Sequence, residues 1–290
     1  MQLIYFSMQI HHIDQQYIQP ENILDYKLIH FLNHIYQKYS SDQKKILNEQ
    51  LEKLFEDKVK SFTRPTGLDN SFAQANSIPE RDRRIMSAVH SWSTSFGQQF
   101  YEPIARSIAL SSDKDAHEQW ASPVEISQDR VARIDKIVAD LGSKIRKPDV
   151  DSEIKEILSI PNKNRIEDPN DNIVDVYFDK KYLFDIKTVG PNKKDWIDFK
   201  KMTLKWSARM NKRVYGVIAI PYNPKAPKPY SSSAVKNYMQ VGKDVLVAAD
   251  FWDLIGGKGC YEDLAIAFKK IGSKYWEDTL KKAGVKRLRN

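Results

Sequence analysis

The sequence predicts an α/β fold in which helices enclose a mixed β-sheet, and three observations carry that expectation. Apolar residues recur every three or four positions through long stretches before residue 160, the period of helices that bury one face. The pattern then changes to short runs rich in β-branched and aromatic residues, "IVDVYF", "YLFDI" and "RVYGVIAIPY". Between the second and third of these runs lies a further helical stretch, as a sheet with covering helices requires.

Two amphipathic helices are expected between about 22 and 62. Leu24, Leu28, Phe31, Leu32 and Ile35 line the first, and Ile46, Leu47, Leu51, Leu54, Phe55 and Val59 line the second. The following "RPTGLDNSFAQAN" has the Pro, Gly, Asn and Ser content of a loop. Ser77 and Glu80 have the spacing of a capping box, and Pro79 between them suits a first helical turn. The helix they open buries Ile85, Val89, Trp92, Phe96, Phe100, Ile104 and Ile108 and runs to about Leu110, with a bend at Pro103. Further helices are expected over Arg130 to Leu141, ended by Gly142, and from Asp149 to Leu158. After the two β-runs, a helix spans about Lys193 to Met210, "RVYGVIAIPY" forms a buried strand, "DVLVAADFWDLIGG" passes from strand to short helix, and a terminal helix covers Tyr261 to Lys282.

Composition narrows the class of function. In 290 residues, 41% hydrophobic and 11% aromatic, there is ample material for a packed core, so disorder is excluded. The net charge of +8 favours an anionic partner such as nucleic acid. One cysteine, Cys260, cannot build a disulfide or a CxxC-type zinc site within the chain. No stretch approaches the roughly 20 apolar residues that span a bilayer, and the N-terminus lacks a basic leader, so a cytoplasmic protein is expected.

The chemistry concentrates in "IVDVYFDKKYLFDIKTVGPNKK". With Asp179, Lys180 and Lys181 as a turn, Phe178 pairs with Tyr182 and Asp175 falls opposite Asp185. Alternation groups Val174, Val176, Phe184 and Ile186 on one face and Asp175, Asp185 and Lys187 on the other. Facing carboxylates destabilise a sheet unless something positive lies between them, and Mg²⁺, which takes oxygen ligands including the carbonyl of Ile186, fits that need. Lys187, two residues past Asp185, is placed to orient water and offset charge on a phosphate. The same residues also suit a surface hairpin whose charges form salt bridges worth about 0–1 kcal/mol.

"VD" at the end of one strand followed by "YLFDIKT" resembles the PD-(D/E)XK nuclease fold, with Val174 in place of the motif's proline. "FDIKTVGPNKKDW", "FWDLIGGKGCYEDLAIAF" and "SWSTSFGQQFYEPIARSIA" are similar to type II restriction endonucleases of the TdeIII kind, over roughly Ser91 to Gly272. The resemblance implies metal ligation by Asp175 and Asp185, catalysis by Lys187, and an auxiliary acidic role for Glu102 on the long helix. The apolar periodicity makes 1–70 a helical arm, for which the resemblance says nothing, and 71–290 a catalytic domain. With the resemblance come the expectations of Mg²⁺ as cofactor, a homodimer acting on double-stranded DNA, and a cognate methyltransferase as genetic partner. The expected activity is a double-strand cut at a short palindromic site. A structure-selective or repair nuclease of the same fold, and a DNA-binding protein that does not cleave, are the alternatives.

Other candidates weigh less. Pro148-Asp149 is a literal "PD" but precedes a helical pattern, so Asp149 reads as a helix-initiating residue. Asp168 and Asp171 lie in a loop and read as turn caps. His30 and His34 have helical metal-ligand spacing without the glutamate of H-E-x-x-H. Gly256, Gly257 and Gly259 do not form a phosphate loop and read as the junction of two helices. The basic residues Lys193, Lys194, Lys200, Lys201, Lys205 and Arg209 form either a solvated or a phosphate-contacting face, while Trp196, Phe199 and Trp206 turn to the core. Thr188 and Asn192, with Lys193, Lys194 and Lys201, are the expected DNA contacts, together with the exposed loop "NPKAPKPYSSS".

Overall fold

The computed structural model describes residues 41–62, 77–112, 115–188 and 191–285. The expected first helix of the N-terminal region, with His30 and His34, and the loop after residue 62 lie outside the described residues. Helix α1 (Ser41–Ser61) is followed by α2 (Glu80–Ser95), a π-helical segment (Phe96–Tyr101) and α3 (Glu102–Ser112). Strands β1 (His117–Ala121) and β2 (Glu125–Ser127) lead to α4 (Gln128–Gly142) and α5 (Val150–Leu158). Strands β3 (Arg165–Glu167), β4 (Ile173–Phe178) and β5 (Tyr182–Ile186) precede α6 (Lys193–Met210). The remainder is β6 (Tyr215–Ile220), α7 (Ser233–Tyr238), β7 (Val245–Val247), α8 (Ala249–Gly256) and α9 (Cys260–Lys282).

Five strands form one sheet in the order β1-β4-β5-β6-β7, while β2 and β3 pair apart from it. The β4-β5 hairpin is antiparallel, and β5, β6 and β7 run parallel, so the sheet is mixed. One core cluster joins Leu47, Leu51 and Phe55 of α1 to Phe100, Ile104, Val176, Phe184, Trp252 and Leu264. The other joins Ile134, Ile137, Ile154, Leu183, Trp196, Trp206 and Ile218. The sheet therefore lies between two layers of helices, as amphipathic helices flanking apolar strands require. Helix α6 sits so close to β6 that a Cβ on Gly216 would come within 2.7 Å of the Thr203 backbone. No helix among the described residues is long and apolar enough to cross a membrane.

Several local expectations change. The capping box at Ser77 and Glu80 does not form. Pro79 is the N-cap, with no side-chain cap, and Glu80, now the first helical residue, binds Arg84 at 3.0 Å. Val89 is 47% exposed rather than buried, since Ala88 and Trp92 carry that part of the helix inward. The irregularity expected at Pro103 takes the form of the π-helical segment that ends just before it. Of the basic residues on α6, Lys200 and Arg209 are buried and Lys205 is largely so. Lys200 meets Glu153 at 2.5 Å and Asp244 at 2.8 Å, an all-buried triad. Arg209 donates to the carbonyls of Asp168, Asn170 and Asp171, and Lys205 pairs with Asp168 at 2.7 Å, so these cations fasten the loop before β4. The loop supplies buried acceptors, and that is why this part of the basic face turns inward.

Candidate active site

The hairpin that carries the site forms in the expected register, with Phe178 paired to Tyr182 and Val176 to Phe184. Asp179 and Lys180 adopt φ of 50° and 53°, and the Lys181 N–H closes the turn on the Phe178 carbonyl at 3.2 Å. Positive φ at both central residues matches the right-handed twist of the strands they join.

One step beyond Val176 the ladder changes character. The Asp175 side chain, rather than its backbone, takes the Ile186 N–H, at 2.7 Å from Oδ2. The alternation expected along β4 breaks at the same place. Val176, Phe184 and Ile186 share one core cluster, but Val174 joins the opposite one with Tyr177 and Leu183. The cause lies on β1, where Gln119 has φ 44° and interrupts the extended backbone, so that Trp120 stacks on Tyr177 with ring centroids 4.6 Å apart. Val174 pairs with Trp120 and follows it.

Asp185 is 8% exposed and lies on the buried parallel strand. Lys187 comes immediately after that strand, where its own N–H bonds to the Ala219 carbonyl at 2.9 Å. Its ammonium lies 3.0 Å from Asp185 Oδ1 and 2.8 Å from Oδ2, and 5.5 Å from the centre of the Phe199 ring. Both oxygens of the Asp185 carboxylate thus face the ammonium, Oδ1 accepting its hydrogen bond and Oδ2 held against it as an ion pair. From the helical side, α3 presents Glu102 in its first turn, and Gln119 Nε2 bridges Glu102 Oε2 at 3.4 Å and Asp175 Oδ1 at 3.3 Å. The fold thus brings Glu102, Asp175, and the pair Asp185 and Lys187 from three places in the chain into one electrostatic group.

The charges in this group are under strain. Burial raises the Asp185 carboxyl to about 6, with Lys187 opposing and Asp175 adding to the rise. Burial, then Asp175 and Asp185, raise Glu102 to about 7. Asp175 is raised as well by burial, against the Ile186 N–H and Lys187. Burial works against the charged form of Lys187, but Asp185, Asp175 and Glu102 together outweigh it and raise the ammonium's pKa. Three carboxyls therefore share one cation, an excess of negative charge directed at one space. Among the described residues no three His, Cys, Asp or Glu side chains already stand as a closed metal-holding group. The donor set still fits a hard cation: it is all oxygen, and its three carboxyls outnumber the one ammonium that Asp185 pairs with.

The other expected contacts surround this group. The Thr188 carbonyl accepts from Tyr222 at 3.1 Å. Asn192 caps α6, taking the N–H groups of Lys194 at 2.8 Å and Asp195 at 3.2 Å, while Asp195 closes the box. Lys193 and Lys194 are exposed on the first turn of α6, and Lys201 pairs with Asp135 at 2.6 Å. Asp149 caps α5 as expected, and Gly257 and Gly259 join α8 to α9. Gln119 was not foreseeable: "HEQWA" has neither β-alternation nor a turn signal to mark a strand beside the site.

The family model described as type II restriction endonuclease, HinfI, matches residues 39–272. The type II restriction enzyme MjaII of Methanocaldococcus jannaschii is 31% identical over 188 residues, 58% of this chain and 50% of that enzyme. The chain thus spans about half the length of that relative. The type II restriction enzymes HgiEI and HgiBI of Herpetosiphon aurantiacus are 28% and 27% identical over 211 residues, each match covering 68% of this chain and 76% of the enzyme. No solved structure matches. The model that matches is the HinfI one, and the TdeIII kind stays a resemblance of local motifs.

Proposed function

Because the chain belongs to the type II restriction endonuclease family represented by HinfI, we propose that it cuts both strands of double-stranded DNA at a short palindromic site in a Mg²⁺-dependent reaction. The observation that carries the proposal is the meeting of three carboxylates with one ammonium: Asp185 pairs with Lys187, Asp175 is bonded to the neighbouring Ile186 N–H, and Gln119 bridges Asp175 to Glu102.

Asp175, Asp185 and the carbonyl of Ile186 would hold the cation, and Glu102 would complete or adjust the set. When bound, it neutralises the surplus carboxylate charge, acidifies water and draws electrons from the phosphate. The protein's own part is positional. The Ile186 N–H anchors Asp175 on the strand that carries Asp185, so both carboxylates ride on one rigid hairpin. Lys187, fixed through its backbone to β6, orients the attacking water and donates to a phosphate oxygen as negative charge builds there. Water adds in line to phosphorus, and the departing 3′-oxygen takes a proton, leaving 5′-phosphate and 3′-hydroxyl ends.

Lys193 and Lys194, exposed on the first turn of α6, would meet the DNA backbone, and Thr188 and the loop over 223–233 would add further contacts. Asn192 contributes by fixing the start of α6, and Lys201 would exchange Asp135 for a phosphate. The described residues of one chain carry one such centre, so a double-strand cut would be made by a homodimer on a two-fold symmetric site. The protein would act in the cytoplasm of a prokaryote beside a methyltransferase that protects the host's own sites. Incubation of purified protein with phage DNA and Mg²⁺, resolved on a gel, tests the reading. Discrete fragments that vanish with EDTA are expected, whereas a smear or intact DNA would contradict it.

A further inference from the structure

We infer that Gln119 is a positioning residue that holds Glu102 and Asp175 toward one another for a divalent cation, an inference that rests on the metal-dependent nuclease reading above. Its single amide nitrogen donates to Glu102 Oε2 at 3.4 Å and Asp175 Oδ1 at 3.3 Å, so the two N–H groups of one side chain join a helix residue to a hairpin residue. The two carboxylates repel, and Glu102 has three rotatable bonds and a partly exposed position from which to swing into solvent. A neutral group with two donors and no charge of its own is suited to hold such a pair together without adding a competing cation.

The backbone gives independent support. Among the described non-glycine residues with positive φ, Gln119, at 44°, is the one that lies within a strand, while the others lie in turns, loops or helix caps. That conformation is disfavoured for a residue with a Cβ, and the exposed side chain buries no apolar surface that would offset it. A strained residue aimed at a cluster of acids is the pattern in which local strain serves a site. Without Gln119, Glu102 would have to be ordered afresh each time a cation binds. Ordering one rotamer-rich side chain corresponds to a loss of affinity of roughly 3- to 10-fold.

The strain also provides a test that separates positioning from folding. Gln119→Gly removes the amide but relieves the positive φ, and Gln119→Asn tolerates the same backbone while leaving the amide one methylene short. Mn²⁺ binding to the full chain, followed through the EPR signal of the free ion, should weaken about 3- to 10-fold in both variants. Melting temperature in EDTA should stay at or above the wild-type value for Gln119→Gly. Wild-type or tighter Mn²⁺ affinity in either variant would overturn the inference while leaving the nuclease reading intact. Failure of the wild-type protein to bind Mn²⁺, with Asp185→Asn as the control, would remove the metal site itself and the inference with it.

Discussion

The Asp175 carboxylate accepts the Ile186 backbone N–H at 2.7 Å, so the first acidic residue of the site is bonded to the strand that carries the second. One residue thereby has two duties, and substitutions can separate them. Asp175→Asn keeps an oxygen for the Ile186 N–H but loses the negative charge, whereas Asp175→Ala loses both. Single-turnover cleavage should fall at least ~100-fold in each. Only the alanine variant should lose stability in urea, by about 1–3 kcal/mol for the orphaned N–H. Equal stability losses in the two would show that the hydrogen bond is not what anchors Asp175.

Lys187→Ala leaves the acidic residues and the hairpin in place and removes the ammonium from Asp185. Cleavage should drop by about 10²–10³-fold at saturating DNA, the loss seen when one donor to a developing charge is removed. Specific DNA binding, measured by filter retention in Ca²⁺, should stay within a few-fold of wild type. Cleavage at near wild-type rates would return the hairpin to the status of a salt-bridged surface feature.

The raised carboxyls predict a pH dependence with a definite sign. Asp185 at about 6 and Glu102 at about 7 hold their protons in the folded protein above the pH at which the unfolded chain releases them. The folded state then binds more protons, and stability contributed here is present below the unfolded carboxylate range and lost as pH rises to about 7. In EDTA, Asp185→Asn should therefore gain stability over wild type as pH rises from about 4 to about 6, and no further above about 7. The gain should reach about 1–3 kcal/mol, since each pH unit over which the unfolded carboxyl is ionised and the folded one is not contributes ~1.4 kcal/mol. Urea melts at several pH values measure this, and a difference independent of pH would sink the assignment. Mg²⁺ at the alkaline end should recover much of the wild-type deficit.

The buried triad away from the site predicts a stability effect instead. Lys200→Met leaves Glu153 and Asp244 buried without their cation, which should destabilise by about 3–5 kcal/mol. Replacing all three, as Lys200→Met with Glu153→Gln and Asp244→Asn, should recover most of the loss in urea unfolding. If the triple variant is no better than the single, the triad is more than a charge balance.

The parts of this molecule that are legible in the sequence are those set by neighbours along the chain. The hairpin register follows from the Asp179–Lys181 turn, α5 from the Asp149 cap, and α6 from its apolar spacing, because each is decided within a short local stretch. What is not legible depends on distant partners. Lys200 looks like its exposed neighbours until Asp244, 44 residues on, closes over it. Val174 obeys strand alternation in sequence but follows Trp120 on another strand. Glu102 is implied by resemblance, yet the side chain that links it to Asp175 is Gln119, which no local pattern marks.

The π-helical segment between α2 and α3 ends at the residue immediately before Glu102. A regular α-helix advances about 100° per residue, so a widened turn acts as a phase shift between the two helices it joins. Upstream, Trp92 packs against Phe55 of α1 and Trp276 of α9; downstream, Ile104 and Ile108 enter the same core. Continuous burial on both sides of a phase shift leaves one side chain free to break step, and Glu102 occupies that place. Deletion of one residue from Phe96–Tyr101 would rotate Glu102 away from the sheet while leaving a helix of ordinary appearance.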